Sequence, residues 1–157
     1  MEKNEARNQV RRIQKRFAVM LKQHGFIHTK PTFYCKHEED YFLIIHIHKY
    51  TFTNGFRVHC AFRMIDDIFE AIALNGPNSH EFQCVEKKRM EFNESEKSIN
   101  ECCNEMYDFF KERALSWFEK AKKNKIELIA RKRSKDDIIN TYELLGIKSK
   151  SQNLKYD

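Results

Sequence analysis

The stretch FLIIHIHKYTFTNGFRVHCAFRM, residues 42–64, decides how the rest of the chain is read. On both sides of Asn54-Gly55 apolar residues recur at every second position, the period of a half-buried strand. Asn-Gly between two such runs is a strong hairpin signal, because both residues tolerate a positive φ. A two-residue loop makes Thr53 the partner of Phe56, and the other pairs follow: Tyr50 with His59, His48 with Ala61, His46 with Arg63. One side of the hairpin then carries Leu43, Ile45, Ile47, Val58, Cys60, Phe62 and Met64. The other side gathers His46, His48, Tyr50, Arg57, His59 and Arg63, with Phe42, Ile44, Phe52 and Ile65 at its margins.

Working outward, the aromatic and β-branched run that precedes the hairpin predicts two further strands, giving strands near 26–29, 32–37, 41–53 and 56–65. Ahead of them, residues 2–24 have a helical period. Ala6, Val10, Ile13, Phe17, Met20 and Leu21 form one face. Lys3, Arg7, Arg11, Lys15 and Lys22 form the opposite face, with Arg12 and Arg16 to one side, and Gly25 is the stop. After the hairpin, Asp66 and Asp67 start a short helix or helical turn within 66–79, and the alternation of 80–86 suggests a fifth strand. Residues 87–97 read as an exposed connection. From about 94 to 123 a long helix lines up Ile99, Cys103, Met106, Phe110, Trp117 and Ala121. Ser134 and Asp137 resemble a capping box opening a helix with Ile138, Ile139, Tyr142, Leu144 and Leu145, which Gly146 ends. The expected architecture is one α+β domain over 1–146, with 147–157 a frayed tail. Its antiparallel sheet has four or five strands, and the N-terminal and long C-terminal helices pack on one face.

Composition narrows the function classes. The 157 residues, 41% hydrophobic and 33% charged, suit one globular domain with a real core. No apolar run approaches the roughly 20 residues of a membrane span, and residues 1–12 lack the apolar segment of a secretory signal. Five cysteines, odd in number and without C-x-x-C spacing, read as reduced and mostly buried thiols, so a cytoplasmic protein without a membrane partner is expected. The net charge of +6 is unevenly placed: +7 over residues 1–37, −6 over 38–121 and +5 over 122–157. Such asymmetry fits binding to nucleic acid or an acidic partner, and equally two basic ends that neutralise the middle within the fold.

Three uses compete for the histidine side of the hairpin. His46, His48 and His59 could ligate a metal, but the interleaved arginines and the lack of a carboxylate oppose a divalent cation. Arg57, Arg63 and protonatable histidines beside Tyr50 and Phe52 suit phosphates and stacked bases. The same mixture suits a protein-binding surface. Covalent catalysis has little support: no nucleophile-elbow, zinc-protease, phosphate-loop or dinucleotide motif is present. His59 and Cys60 point to opposite faces, and Cys35 with His37 lacks an evident orienting group.

The run MLKQHGFIHTKPTFY (20–34), the hairpin strands, and the aromatic run MYDFFKERALSWFEK (106–120) together resemble a bacterial family known as domain of unknown function 4304. The resemblance implies a small α+β protein with this order of elements and carries no settled activity. Where the family pattern has Gln-Lys-Ser after the apolar strand, this chain has His48-Lys49-Tyr50. The expectation is a non-enzymatic, cytoplasmic binding domain with no metal or other cofactor, its partner another protein, as in immunity-protein-like domains. Nucleic acid or another anion is the alternative. The candidate surfaces are His46, His48, Tyr50, Arg57, His59 and Arg63 on the sheet, and Arg7, Arg11, Lys15 and Lys22 on the helix.

Overall fold

The computed structural model describes residues 1–124 and 141–147. Its frame is α1 (Lys3–Lys22), β1 (Ile27–Lys30), β2 (Phe33–Glu38), β3 (Tyr41–Lys49) and β4 (Phe56–Met64), then α2 (His80–Val85), α3 (Glu96–Phe109) and α4 (Leu115–Lys123). A π-helical turn, Phe110–Ala114, joins α3 to α4 without breaking the rod. The four strands form one antiparallel sheet in the order β1-β2-β3-β4. This is an α+β fold. Among the described residues no helix is long and apolar enough to cross a membrane.

The expected inward face is the main core. Leu43, Ile45 and Ile47 of β3 and Val58, Cys60 and Phe62 of β4 are all at most 3% exposed. They lie in one cluster with Ile13, Phe17 and Leu21 of α1 and with Ile99, Met106, Phe110 and Phe118 of the long rod. Gly25 ends α1 at φ +85°, where any other residue would be strained, and Phe26 N–H closes the turn on Leu21 O at 3.2 Å. Ser95 caps α3 by accepting from Ser98 N–H at 3.1 Å.

The hairpin register differs from the expected one by four residues. His46 faces His59 and His48 faces Arg57, so the loop is 50–55 rather than Asn54-Gly55 alone. Neither Asn54 nor Gly55 has the positive φ that a tight turn requires. Their backbone serves a third segment instead: Phe92 N–H donates to Asn54 O at 2.8 Å, and Phe56 N–H to Met90 O at 2.9 Å. Because the slip is even, every side chain keeps its face.

Two elements after the hairpin differ in kind from expectation. Residues 66–79 are irregular, not helical. Their second half runs along the open edge of β4, where Cys60 N–H donates to Pro77 O and Gly76 N–H to Cys60 O, both at 3.0 Å. Asn75 exchanges two side-chain bonds of 2.9 Å with the Phe62 backbone. The unpaired groups of the sheet edge outweigh a short helix that would leave them bare. Residues 80–85 form a helix, α2, rather than a fifth strand, and Phe82 is its one buried anchor. Within 87–97, Met90 and Phe92 are buried rather than exposed.

The reverse face of the sheet is covered over half its length. Residues 141–145 are helical, Gly146 ends them at φ +79°, and Tyr142, Leu145 and Ile147 pack on Cys35, Phe42, Ile44 and Ala61 in a second core. Ile147, expected at the start of the tail, is 3% exposed. Ser134, Asp137, Ile138, Ile139 and residues 148–157 lie outside the described residues.

Candidate functional site

The reverse face of the sheet is not one surface. Arg63 is 3% exposed, so it does not belong to a binding face. Its guanidinium donates to Ala71 O at 2.8 Å, Phe69 O at 2.9 Å and Asp67 O at 3.1 Å, and reaches Thr141 Oγ1 at 3.4 Å. It ties the 66–72 loop and the C-terminal helix to the sheet. A sequence places Arg63 on the correct side, but only the distant segment that covers it makes it structural.

The other end of this face remains open. His48 is exposed, and His46, Tyr50, Arg57 and His59 are half-buried. The structure brings these five together as expected, with different partners. His46 Nδ1 lies 3.1 Å from Thr32 O and its ring packs on Phe33 at 4.6 Å; the His46 and His59 rings are 6.0 Å apart. Arg57 Nε donates to Tyr50 Oη at 3.1 Å, and the guanidinium stands 5.5 Å from the Tyr50 ring centre. Its other arm lies 3.2 Å from Nδ1 of His80, a residue that sequence reasoning missed because 80–86 read as a separate strand.

Burial lowers the pKa of His46 below the ordinary range. For His59 burial, followed by the charges of His46, Arg57 and His48, brings it down to about 4. His59 is therefore neutral at pH 7 and no phosphate-gripping cation. No group of three or more His, Cys, Asp or Glu among the described residues could hold a metal ion. The four buried thiols are no better placed for chemistry: burial pushes Cys35 up to about 12 and Cys103 to about 11, and raises Cys60 and Cys102 as well.

Positive charge is concentrated on α1. Arg7, Arg11, Lys15 and Lys22 are all exposed, and none has an acidic partner among the described residues. Arg12 and Arg16, at the side of the stripe, are engaged: both pair with Glu96 of α3, and Arg16 also donates to Asn100. These guanidiniums, Arg16 first, hold the Glu96 carboxyl below its ordinary range.

Between the N-terminal half of α1 and the β3–β4 loop lies a groove of about 730 Å³. Lys3, Arg7 and Arg11 line it from the helix, and Lys49, Thr51 and Asn54 from the hairpin. Ala6, Val10 and Pro31 give it an apolar floor, and no Asp or Glu lines it. Lys49, missed at the sequence level, is anchored by bonds to Tyr50 O at 2.8 Å and Thr53 O at 3.1 Å. Lys15 and Lys22 lie outside the groove. Two other clefts carry mixed charge. One of about 460 Å³ sets Lys36 and Lys122 beside Glu119, and one of about 520 Å³ sets Lys87 and Arg89 among Glu91, Glu101 and Glu105. Of the three, only the α1 groove has walls of a single sign.

Compared with protein-family models, curated proteins and solved structures, the chain matches none.

Proposed function

We propose that this chain is a non-enzymatic binding domain of the cytoplasm whose ligand is a polyanion seated between α1 and the β3–β4 loop. One observation carries this reading: Lys3, Arg7, Arg11 and Lys49 converge on a groove that no carboxylate lines. Like charges held together in a concave wall raise the local concentration of a counter-charged ligand. Lys3, Arg7 and Arg11 stand four residues apart, so they follow one helix face at a spacing of about 6 Å. All five cysteines are free, and four are buried, which suits a reducing compartment. An acidic protein surface is the form of protein partner that the same cations would fit.

Titration with labelled inorganic polyphosphate at low salt tests the reading. Binding is expected, with an affinity that falls steeply as salt is added. Arg7→Glu with Arg11→Glu should weaken it by about tenfold or more. A control with the same charge change, Lys120→Glu with Lys123→Glu on exposed positions of α4, should weaken it far less. Equal losses in the two variants would mean that net charge alone binds, and the groove would have no role.

A further inference from the structure

We infer that the occupant of the groove is single-stranded nucleic acid, with a base stacked on Phe52 at the tip of the β3–β4 loop. This inference rests on the polyanion reading above and names its chemistry. Phe52 is 97% exposed, more than any other large apolar side chain among the described residues; Val19 follows at 68% and Val85 at 60%. It lies between Thr51 and Asn54, both of which line the groove, and its Cα is about 3.8 Å from that of Thr51. A bare aromatic ring thus sits on the loop whose residues 51 and 54 line a cationic groove.

The loop does not need that ring for its own shape. Tyr50 N–H closes it on Gly55 O at 3.0 Å, and Lys49 Nζ holds the carbonyls of Tyr50 and Thr53. Residue 52 contributes an apolar surface left entirely to solvent, an unfavourable placement that binding would relieve. Polyphosphate and acidic peptides have charge for the arginines but no flat face for the ring. A duplex has flat faces, but they are already stacked inside it. A single strand offers phosphates and unpaired bases in alternation, the combination that cationic grooves with aromatic platforms take up. The apolar floor of Ala6, Val10 and Pro31 suits sugar and base edges better than a fully hydrated anion.

The test uses the full chain and a fluorescent oligothymidylate of about twelve nucleotides, within the range that single-strand sites occupy. Phe52→Ala should lower its affinity about tenfold and Phe52→Trp should preserve it. Neither change should alter polyphosphate binding. Since the ring is bare, neither should disturb the fold. Equal oligonucleotide affinity for the wild type and Phe52→Ala would overturn the stacking role. Duplex DNA or polyglutamate competing as well as the single strand would overturn the choice of ligand. If polyphosphate binds and responds to Arg7 and Arg11 while the oligonucleotide does not bind, this inference fails and the polyanion reading stands. If neither binds, both fail.

Discussion

Phe42, Ile44, Ala61 and Arg63 stand on the same side of the same two strands as His46, His48, Arg57 and His59. The first four are 0 to 3% exposed, whereas His48 is open and the other three are half-buried. β-Alternation alone assigns all eight to one surface. What divides them is a cover supplied from elsewhere in the chain, Tyr142, Leu145 and Ile147, together with Ile65 and Ile72. A strand pattern therefore gives the side of a residue, while its environment depends on what folds over that side. An arginine under the cover holds carbonyls together, and an arginine beyond it is available to a ligand.

Replacing each arginine in turn is the strongest way to break this division. Arg63→Ala removes the donor of three backbone carbonyls, so unfolding in urea should show a loss of about 3 kcal/mol or more. Arg57→Ala, which loses one bond to Tyr50 and a contact with His80, should stay within about 1 kcal/mol. Similar losses for both would mean that the two ends of the face are not structurally distinct.

A smaller effect separates the cover from the rest of the fold. Gly146 has φ +79°, and a Cβ there would stand 2.6 Å from Thr29 O. Gly146→Ala should cost about 2 kcal/mol from the left-handed backbone and the clash. It should also lift residues 141–147 off Cys35, which is 0% exposed and belongs to the second core. Thiol labelling read by mass spectrometry should then show Cys35 reacting faster while Cys60, in the main core, stays protected. If Cys35 and Cys60 gain reactivity together, the cover opens only when the whole domain unfolds.

Much of this fold was legible because its signals are local. The apolar stripes of α1 and of the 96–123 rod, the strand alternation, and the stops at Gly25 and Gly146 each depend on neighbouring residues alone. The main core follows from them. The hairpin register was not legible, because the backbone on either side of Gly55 pairs with residues 90–92: Asn54 O accepts from Phe92 N–H, and Phe56 N–H donates to Met90 O. Residues 66–79, whose pattern suggests a short helix or helical turn, are irregular for a similar reason. They answer to the edge of β4, and only glycine fits at position 76, because a Cβ would meet Trp117 at 2.7 Å and Cys60 O at 2.8 Å. The candidate site was half legible. The cation stripe on α1 was plain, but the groove needs Lys49 and Asn54 from a hairpin tip whose position depends on the register. Alternation gives the side on which Arg63 stands but not the cover that buries it.

The last prediction concerns charge at the open end and carries the smallest effect. His59 has its pKa lowered to about 4 in the folded protein, chiefly by burial. An unfolded histidine takes up its proton near pH 6.5, so between those values the unfolded chain binds a proton that the folded chain refuses. Stability must fall as pH drops through that window. The loss is screened because His59 is only half-buried. His59→Gln should reduce the drop in urea midpoint between pH 7 and pH 5. His28 and His46, also lowered by burial, act equally in both proteins and cancel in the comparison. Glu38, whose carboxyl is lowered by its bonds to Lys36, Lys122 and Tyr41 against the opposing effect of burial, loses its contribution only below about pH 4.5 and stays out of the window. An unchanged midpoint shift would mean that His59 protonates freely in the folded state. The open end would then gain a cation on mild acidification, and its difference from the α1 groove, where the charge is permanent, would be one of pH alone.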